Sequence, residues 1–197
     1  MGNMIKETWL VLVLSIIFGL ALAFTDRSTA KRIEENRQQQ IRELSQLASI
    51  GELTYDTNGK PKFKIELKEL SKLKKQGLWA YEIHPIGSNK IIGYSLIAEG
   101  IGWDRLKILI ALSSDLKKIT GLEIVDSRET PGLGARIKEN WFREQYKKPT
   151  NRPLELVKHK PESEYQVQAI TGATISSTAV TNMVNKTVEL ARKLIKK

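Results

Sequence analysis

Residues 165–177 read YQVQAITGATISS and carry the clearest structural signal in the chain. Polar and apolar residues alternate through 165–170, which predicts a β-strand. Gly172 and Ala173 then predict a tight turn. From Ser176 onward to residue 195, apolar residues recur at helical spacing, which predicts a long amphipathic helix. The sequence therefore places a strand, a tight turn and a helix in direct succession.

The turn between this strand and helix has the chemistry of an anion site. Thr171, Thr174, Ser176 and Ser177 supply hydroxyl groups, and residues 170–177 contain no acidic side chain. The N–H groups at a helix N-terminus also favour a phosphate. Hydroxyl residues at this position are equally typical of simple helix caps, so phosphate binding and capping both stay open. No GK[ST] follows, which argues against a P-loop.

The remainder of the chain alternates between strand and helix patterns. Proline and glycine interrupt the pattern at 129–134, where a loop is expected. Together these segments predict an α+β domain with an antiparallel-rich sheet and flanking helices. The predicted strands are 79–84, 91–98, 106–112, 119–125 and 165–170, and the predicted helices are 27–50, 65–76, 135–146 and 176–195.

The N-terminal region contains 17 consecutive uncharged residues, 8–24 (TWLVLVLSIIFGLALAF). As a helix this run would span about 25 Å, close to the thickness of a bilayer core. A single-pass anchor in residues 1–26 is favoured. A signal peptide cleaved near 21–23 is the alternative, and a buried soluble helix fits less well. The chain is thus divided into an anchor (1–26), a juxtamembrane helical segment (27–78) and a domain (79–197).

The composition excludes several chemistries. The 197 residues include no Cys and two His, with 32 Lys+Arg against 22 Asp+Glu for a net charge of +10. A disulfide framework, a catalytic thiolate and a Cys-ligated metal are therefore excluded. His84 and His159 are far apart in sequence, which argues against a His-rich metal site, whereas carboxylate sites stay open. The sequence identifies no metal ligand and no catalytic residue. Any redox role would need an organic cofactor.

The positive charge favours contact with a membrane surface or a protein partner over nucleic acid. No RNP-like aromatic signature and no clear helix-turn-helix pattern accompanies the basic residues. The predicted anchor would also hold the domain close to a bilayer. Nucleic acid is therefore not expected as a partner.

Two short segments resemble motifs of the FMN-binding domain family. Thr171-Gly172-Ala173-Thr174 resembles the flavinylation motif Asp-x-x-[Ser/Thr]-Gly-Ala-[Ser/Thr], with Gln168 in place of the Asp. In that family a dedicated flavin transferase esterifies the last hydroxyl residue to the phosphate of FMN. The resemblance therefore implies that Thr174 carries covalent FMN.

The second segment, residues 129–134 (ETPGLG), also resembles a motif of this family, and residues 100–103 (GIGW) resemble a third, looser element. The resemblance covers about residues 80–190 and the apolar run. Trp103 is expected to stack on the flavin or to be an ordinary core aromatic, and Glu129 to contact the cofactor or to stabilise the turn. The implied cofactor-binding residues are Trp103, Glu129, Thr130, Gly132, Leu133, Gly134, Thr171, Gly172, Ala173 and Thr174.

In length and layout the chain resembles the G subunits of Rnf-type ion-translocating electron-transport complexes. The related C subunits of sodium-pumping NADH:quinone oxidoreductases are similar but usually longer. This resemblance implies an electron-transfer subunit that is not catalytic alone, with other membrane subunits and a flavin transferase as partners. The complex would couple reduced ferredoxin and NAD to ion translocation. The alternatives are a stand-alone flavinylated carrier outside the cytosol and a membrane-anchored binding or assembly module without cofactor.

Two arguments disagree about which side of the membrane the domain faces. Basic residues follow the apolar run, at Arg27, Lys31, Arg32, Arg37 and Arg42, and the positive-inside rule would place the domain in the cytoplasm. The family resemblance implies the periplasmic or extracytoplasmic side of the cytoplasmic membrane, where the transferase acts. A domain of this size can be translocated regardless of flanking charge, so the extracytoplasmic side is expected.

Overall fold

The chain divides into two compact units in the computed structural model, Met1–Gln40 and Ile41–Lys197. The structure describes residues 2–51, 54–55, 57–59, 61–74 and 78–195. The predicted domain, 79–197, lies in the second unit, which also includes residues 41–78.

The first unit consists of the N-terminal part of helix α1, Gly2–Ile50. Large apolar side chains between Trp9 and Phe24 lie exposed along it, with 65% and 75% of the surface of these two residues accessible. Within the described residues, none of the helices combines the length and the apolar character that a membrane crossing requires.

The second unit is built on a five-stranded antiparallel sheet in the order β3-β4-β5-β6-β7. Two short pairs lie outside this sheet: β1 with β2, antiparallel, and β8 with β9, parallel. The strands are β1 Thr54–Tyr55, β2 Pro61–Lys62, β3 Ile65–Glu69, β4 Trp79–Pro85, β5 Gly93–Ile101, β6 Arg105–Ser113, β7 Ile119–Ser127, β8 Glu155–Val157 and β9 Gln166–Gln168.

Among the described residues, four helical segments follow α1. A short α2 joins β3 to β4, and a 3₁₀-helix and α3 follow the loop after β7. The long α4 packs against β5. The segments are α2 Ser71–Lys74, the 3₁₀-helix Gly134–Lys138, α3 Asn140–Glu144 and α4 Thr174–Ile195.

The sheet is buried on both faces, which explains the continuous apolar run of β6. Alternate residues such as Ile108 and Ile110 face the main core, where they pack with α4 side chains. Leu109 and Ala111 point the other way and pack with Ile41 and Ala48 from the end of α1. Because neighbouring residues of a strand point to opposite faces, two buried faces require apolar residues at nearly every position.

The structure confirms the α+β class with an antiparallel sheet and flanking helices. The C-terminal helix begins at Thr174, two residues before the predicted start. The predicted helix 135–146 is split into the 3₁₀-helix and α3, because Glu139 has extended backbone between them.

The helix predicted over residues 65–76 is wrong. Residues 65–69 form strand β3, which pairs with β4, and within the described part of this stretch, 65–74, only residues 71–74 are helical. The spacing of Leu67, Leu70 and Leu73 suggested a helix, but Ile65 and Leu67 also alternate as a strand requires. Pairing with β4 decides the outcome, since tertiary contacts override a weak local preference.

Candidate functional site

The turn before α4 is held by the side chain of Ser177. Its Oγ accepts a hydrogen bond from the Ile170 N–H (3.1 Å) and donates one to the Ala173 carbonyl (2.9 Å). Gly172 has φ of +82°, a left-handed conformation that favours glycine. Ser177 is therefore committed to the turn, whereas the Thr174 side chain, at the first residue of α4, is exposed.

The loop of residues 129–134 lies directly against this turn. The Thr130 carbonyl accepts hydrogen bonds from the N–H groups of Leu133 (3.2 Å) and Ala135 (3.1 Å), which close the loop. A Cβ atom placed on Gly172 would lie 3.4 Å from Leu133 Cδ2. The two motifs that resemble the FMN-binding family are thus in contact, although about forty residues separate them in sequence.

The third element is the turn between β5 and β6, residues 102–104. The backbone N–H of Trp103 donates a hydrogen bond to Glu129 Oε1 (3.0 Å). The indole is 70% exposed, so the interpretation of Trp103 as an ordinary core aromatic is wrong.

Glu129 connects all three elements. Its carboxylate is only 5% exposed, and Oε2 accepts a hydrogen bond from the buried Ser176 Oγ (2.7 Å) on α4. Through Oε1, which accepts from the Trp103 N–H, Glu129 also ties the loop of residues 129–134 to the turn between β5 and β6. The sequence does not predict the hydrogen bond between Glu129 and Ser176. The two residues are far apart along the chain, and neither a glutamate nor a serine alone indicates such a contact.

These elements line a cavity of about 440 Å³. Its volume lies within the roughly 300–1,000 Å³ typical of small-molecule sites. Thr171 and Gly132, which the sequence included among the binding residues, are not part of its lining. The lining residues are Trp103, Glu129, Thr130, Leu133, Gly134, Gly172, Ala173, Thr174, Ile175 and Ser176.

The cavity suits a ligand with a phosphate and a flat aromatic ring. The N–H of Ser177 donates the first backbone hydrogen bond of α4, to the carbonyl of Ala173. The N–H groups of residues 174–176 lie before this bond, in the first turn of the helix. Such groups have no acceptor within a helix and bind anions. The exposed side chains of Trp103, Leu133 and Ile175 provide an apolar rim for a ring. FMN has both of these parts, and the residues present fit it.

A buried hydroxyl pair joins α4 to the segment that follows α3. Tyr146 Oη and Thr181 Oγ1 are 2.8 Å apart, and both residues are buried. Burial raises the pKa of the Tyr146 phenol above its usual value, only partly offset by the hydrogen bond with Thr181. The phenol is therefore neutral at physiological pH and helps to fix α4 in place.

No acidic or histidine cluster that could hold a metal occurs among the described residues. His84 is buried, with Nε2 3.1 Å from Glu82 Oε2, and His159 bonds the Lys160 carbonyl through Nδ1. Neither imidazole lines the cavity.

Comparison with known families gives a match to the FMN-binding domain over residues 102–189. The matched segment begins at the β5–β6 turn and includes the loop of residues 129–134 and most of α4. It therefore spans every residue that lines the cavity.

Two relatives are G subunits of ion-translocating ferredoxin:NAD(+) oxidoreductase complexes. The G subunit of the Na(+)-translocating ferredoxin:NAD(+) oxidoreductase complex from Acetobacterium woodii is 32% identical over 193 residues, which cover 95% of this chain and 91% of the relative. The G subunit of the proton-translocating ferredoxin:NAD(+) oxidoreductase complex from Clostridium ljungdahlii is 41% identical over 102 residues. That match covers 51% of this chain and about half (54%) of the relative.

Among solved structures, the C subunit of the Na(+)-translocating NADH-quinone reductase from Parabacteroides distasonis has the same fold. The TM-score is 0.61 with 23% sequence identity, over 87% of this chain and 97% of that one.

Proposed function

The chain belongs to the family of G subunits of ion-translocating ferredoxin:NAD(+) oxidoreductase complexes, and from this we propose that it is an electron-transfer subunit that carries FMN on Thr174. The flavin would be attached by a phosphoester between the Thr174 hydroxyl and the FMN phosphate. The subunit would work within an Rnf-type complex rather than turn over a substrate alone.

One observation carries this proposal. The exposed hydroxyl of Thr174 lies at the N-terminus of α4 and lines the same cavity as Glu129, Thr130, Leu133 and Gly134. Two segments that resemble flavin motifs therefore meet at one site of suitable size. The nearby Ser177 hydroxyl, in contrast, is occupied by the Ile170 N–H and the Ala173 carbonyl.

When bound, the flavin supplies the redox chemistry, and the protein supplies attachment, orientation and electrostatics. The N–H groups at the start of α4 would hold the phosphate oxygens. Leu133 and Trp103 would cover the apolar parts of the ring, and Glu129 would place a charge at the cavity wall. Covalent attachment keeps the cofactor in place in every redox state, as a relay within a complex requires.

The attachment site is tested by replacing Thr174 with valine, which has nearly the same shape but no hydroxyl. The full chain is co-produced with a flavin transferase, denatured, and examined for flavin fluorescence in the gel. We expect Thr174→Val to lose the fluorescent band. The matched control Thr178→Val, one turn further along α4 at an exposed position, should keep it. Fluorescence retained by the Thr174 variant would overturn the assignment.

We also propose that residues 1–26 anchor the subunit in the cytoplasmic membrane, with the domain on the extracytoplasmic side. The exposed apolar side chains from Trp9 to Phe24 support an apolar environment for this part of α1. The partners would be the other membrane subunits of the complex and, during maturation, a flavin transferase.

A further inference from the structure

The buried carboxylate of Glu129 is a charge at the wall of the candidate flavin cavity. Over the part of the chain that the structure describes, Glu129 takes part in none of the ion pairs. Its two contacts are both hydrogen-bond donors, the Trp103 N–H at 3.0 Å and the Ser176 hydroxyl at 2.7 Å. An ionised carboxylate only accepts hydrogen bonds, so this arrangement matches its needs.

Two glycines make room for this carboxylate. A Cβ atom on Gly102 would collide with Glu129 Oε1, and one on Gly134 would collide with Oε2 and lie 2.6 Å from Ser176 Oγ. Neither glycine has the positive φ that would otherwise explain its presence. Three elements of the fold are therefore shaped around one buried, negatively charged group.

We propose that Glu129 is a fixed negative charge that lowers the reduction potential of a flavin bound in the cavity. This inference rests on the proposed function. Reduction adds electrons to the flavin, and a nearby negative charge opposes any resulting gain in negative charge. The effect is strongest where water is excluded, and Glu129 is almost completely buried.

The charge is tested with Glu129→Gln in the full chain, co-produced with a flavin transferase. Glutamine keeps the shape of the side chain, and its Oε1 can accept from the Trp103 N–H while its amide donates to Ser176 Oγ. Intact mass first establishes that the variant carries flavin. A spectroelectrochemical titration then measures the midpoint potential of the flavin.

Two control variants separate the charge from other effects. Glu155→Gln makes the same chemical change at the exposed first residue of strand β8, outside the cavity. Ser176→Ala breaks the contact between Glu129 and α4 but leaves the negative charge in place. If Glu129 acted only by holding the structure together, Glu129→Gln and Ser176→Ala would shift the potential in the same direction.

We expect a more positive midpoint potential in Glu129→Gln, the wild-type potential in Glu155→Gln, and no positive shift in Ser176→Ala, which keeps the charge. A flavin-loaded Glu129→Gln protein with the wild-type potential, or an equal positive shift in Ser176→Ala, overturns the inference.

Should Glu129→Gln fail to fold, Thr130→Lys introduces a positive charge at an exposed residue of the cavity lining. Its potential should also become more positive, and an unchanged value would overturn the inference. If the intact mass of the wild-type protein does not include FMN, the proposed function itself is rejected.

Discussion

At the scale of single residues, the position of the Glu129 carboxylate depends on the absence of side chains at two neighbouring glycines. Gly134 and Gly102 border the Glu129 carboxylate so closely that any side chain would displace it. Gly172, by contrast, is required by its backbone, which has a positive φ. The sequence predicted this turn correctly, because glycine and hydroxyl residues before a helix are a local signal. It could not predict the bond between Glu129 and Ser176, which depends on the folded arrangement of distant segments.

Replacing Gly134 with alanine is expected to lower the free energy of unfolding by about 1–3 kcal/mol. The new Cβ would collide with Glu129 Oε2 and Ser176 Oγ, so the fraction of protein carrying covalent flavin should also fall. Intact mass and urea denaturation measure these two effects.

Gly87→Ala is the control for this variant. Gly87 has φ of +74° and open space around it, so alanine there introduces backbone strain without a collision. Its stability should fall while its flavin content stays at the wild-type level. Equal flavin content in both variants would show that Gly134 is not needed at the site.

Because the Tyr146 phenol is buried, we expect the protein to lose stability at alkaline pH. Its pKa is raised by burial in the folded state, so above a pH of about 10 the unfolded chain releases a proton that the folded chain retains. The free energy of unfolding should therefore fall as the pH rises through and above that value. Tyr146→Phe should flatten this fall, as measured by denaturant titrations between neutral and alkaline pH.

Tyr165→Phe is the matched control, since Tyr165 bonds Asn151 in a surface loop. It should retain the wild-type alkaline slope. An unchanged slope in Tyr146→Phe would mean that this phenol does not contribute to the pH dependence.

At the scale of secondary-structure elements, the sequence predicted the core of the fold better than its edges. β4, β6, β7 and α4 have strong, sustained apolar patterns, and all four lie close to their predicted positions. The edge strand β3 was predicted as part of a helix, because five residues of mixed pattern carry little local information. Its conformation is set by pairing with β4, a contact that no window of sequence reveals.

The packing of the end of α1 on the sheet can be tested at Gly121 in β7. A Cβ atom there would collide with the Ala48 carbonyl oxygen. This oxygen belongs to the helix backbone, which cannot move aside as a flexible side chain can. Gly121→Ala should lower the free energy of unfolding by about 1–3 kcal/mol. Gly100→Ala in β5 is the control, because its Cβ would meet only the flexible Met183 side chain. A larger loss in the Gly100 variant would contradict the described packing.

At the scale of the whole molecule, the two compact units have different surfaces. Residues 2–40 form a helix with exposed apolar side chains, whereas the described part of Ile41–Lys197 buries apolar residues in two clusters, one on each face of the sheet. This contrast fits a subunit with one part for attachment and another for the cofactor. The basic net charge of +10 leaves membrane surfaces and protein partners as suitable neighbours.

The proposed location predicts a specific pattern of protease sensitivity. In cells whose outer barrier is opened but whose cytoplasmic membrane is intact, added protease should degrade the domain. A cytoplasmic reporter protein should survive the same treatment. Protection of the domain until the cytoplasmic membrane is permeabilised would instead place it in the cytoplasm, as the positive-inside rule suggests.

The central claim, that Thr174 carries the flavin, is tested most directly by peptide mass mapping of the flavin-loaded protein. Trypsin should release residues 159–186, which contain Thr174 together with Thr171, Ser176 and Ser177. We predict that this peptide is heavier by one FMN moiety and that fragmentation places the added mass on Thr174. An unmodified peptide, or the added mass on another hydroxyl, would contradict the account.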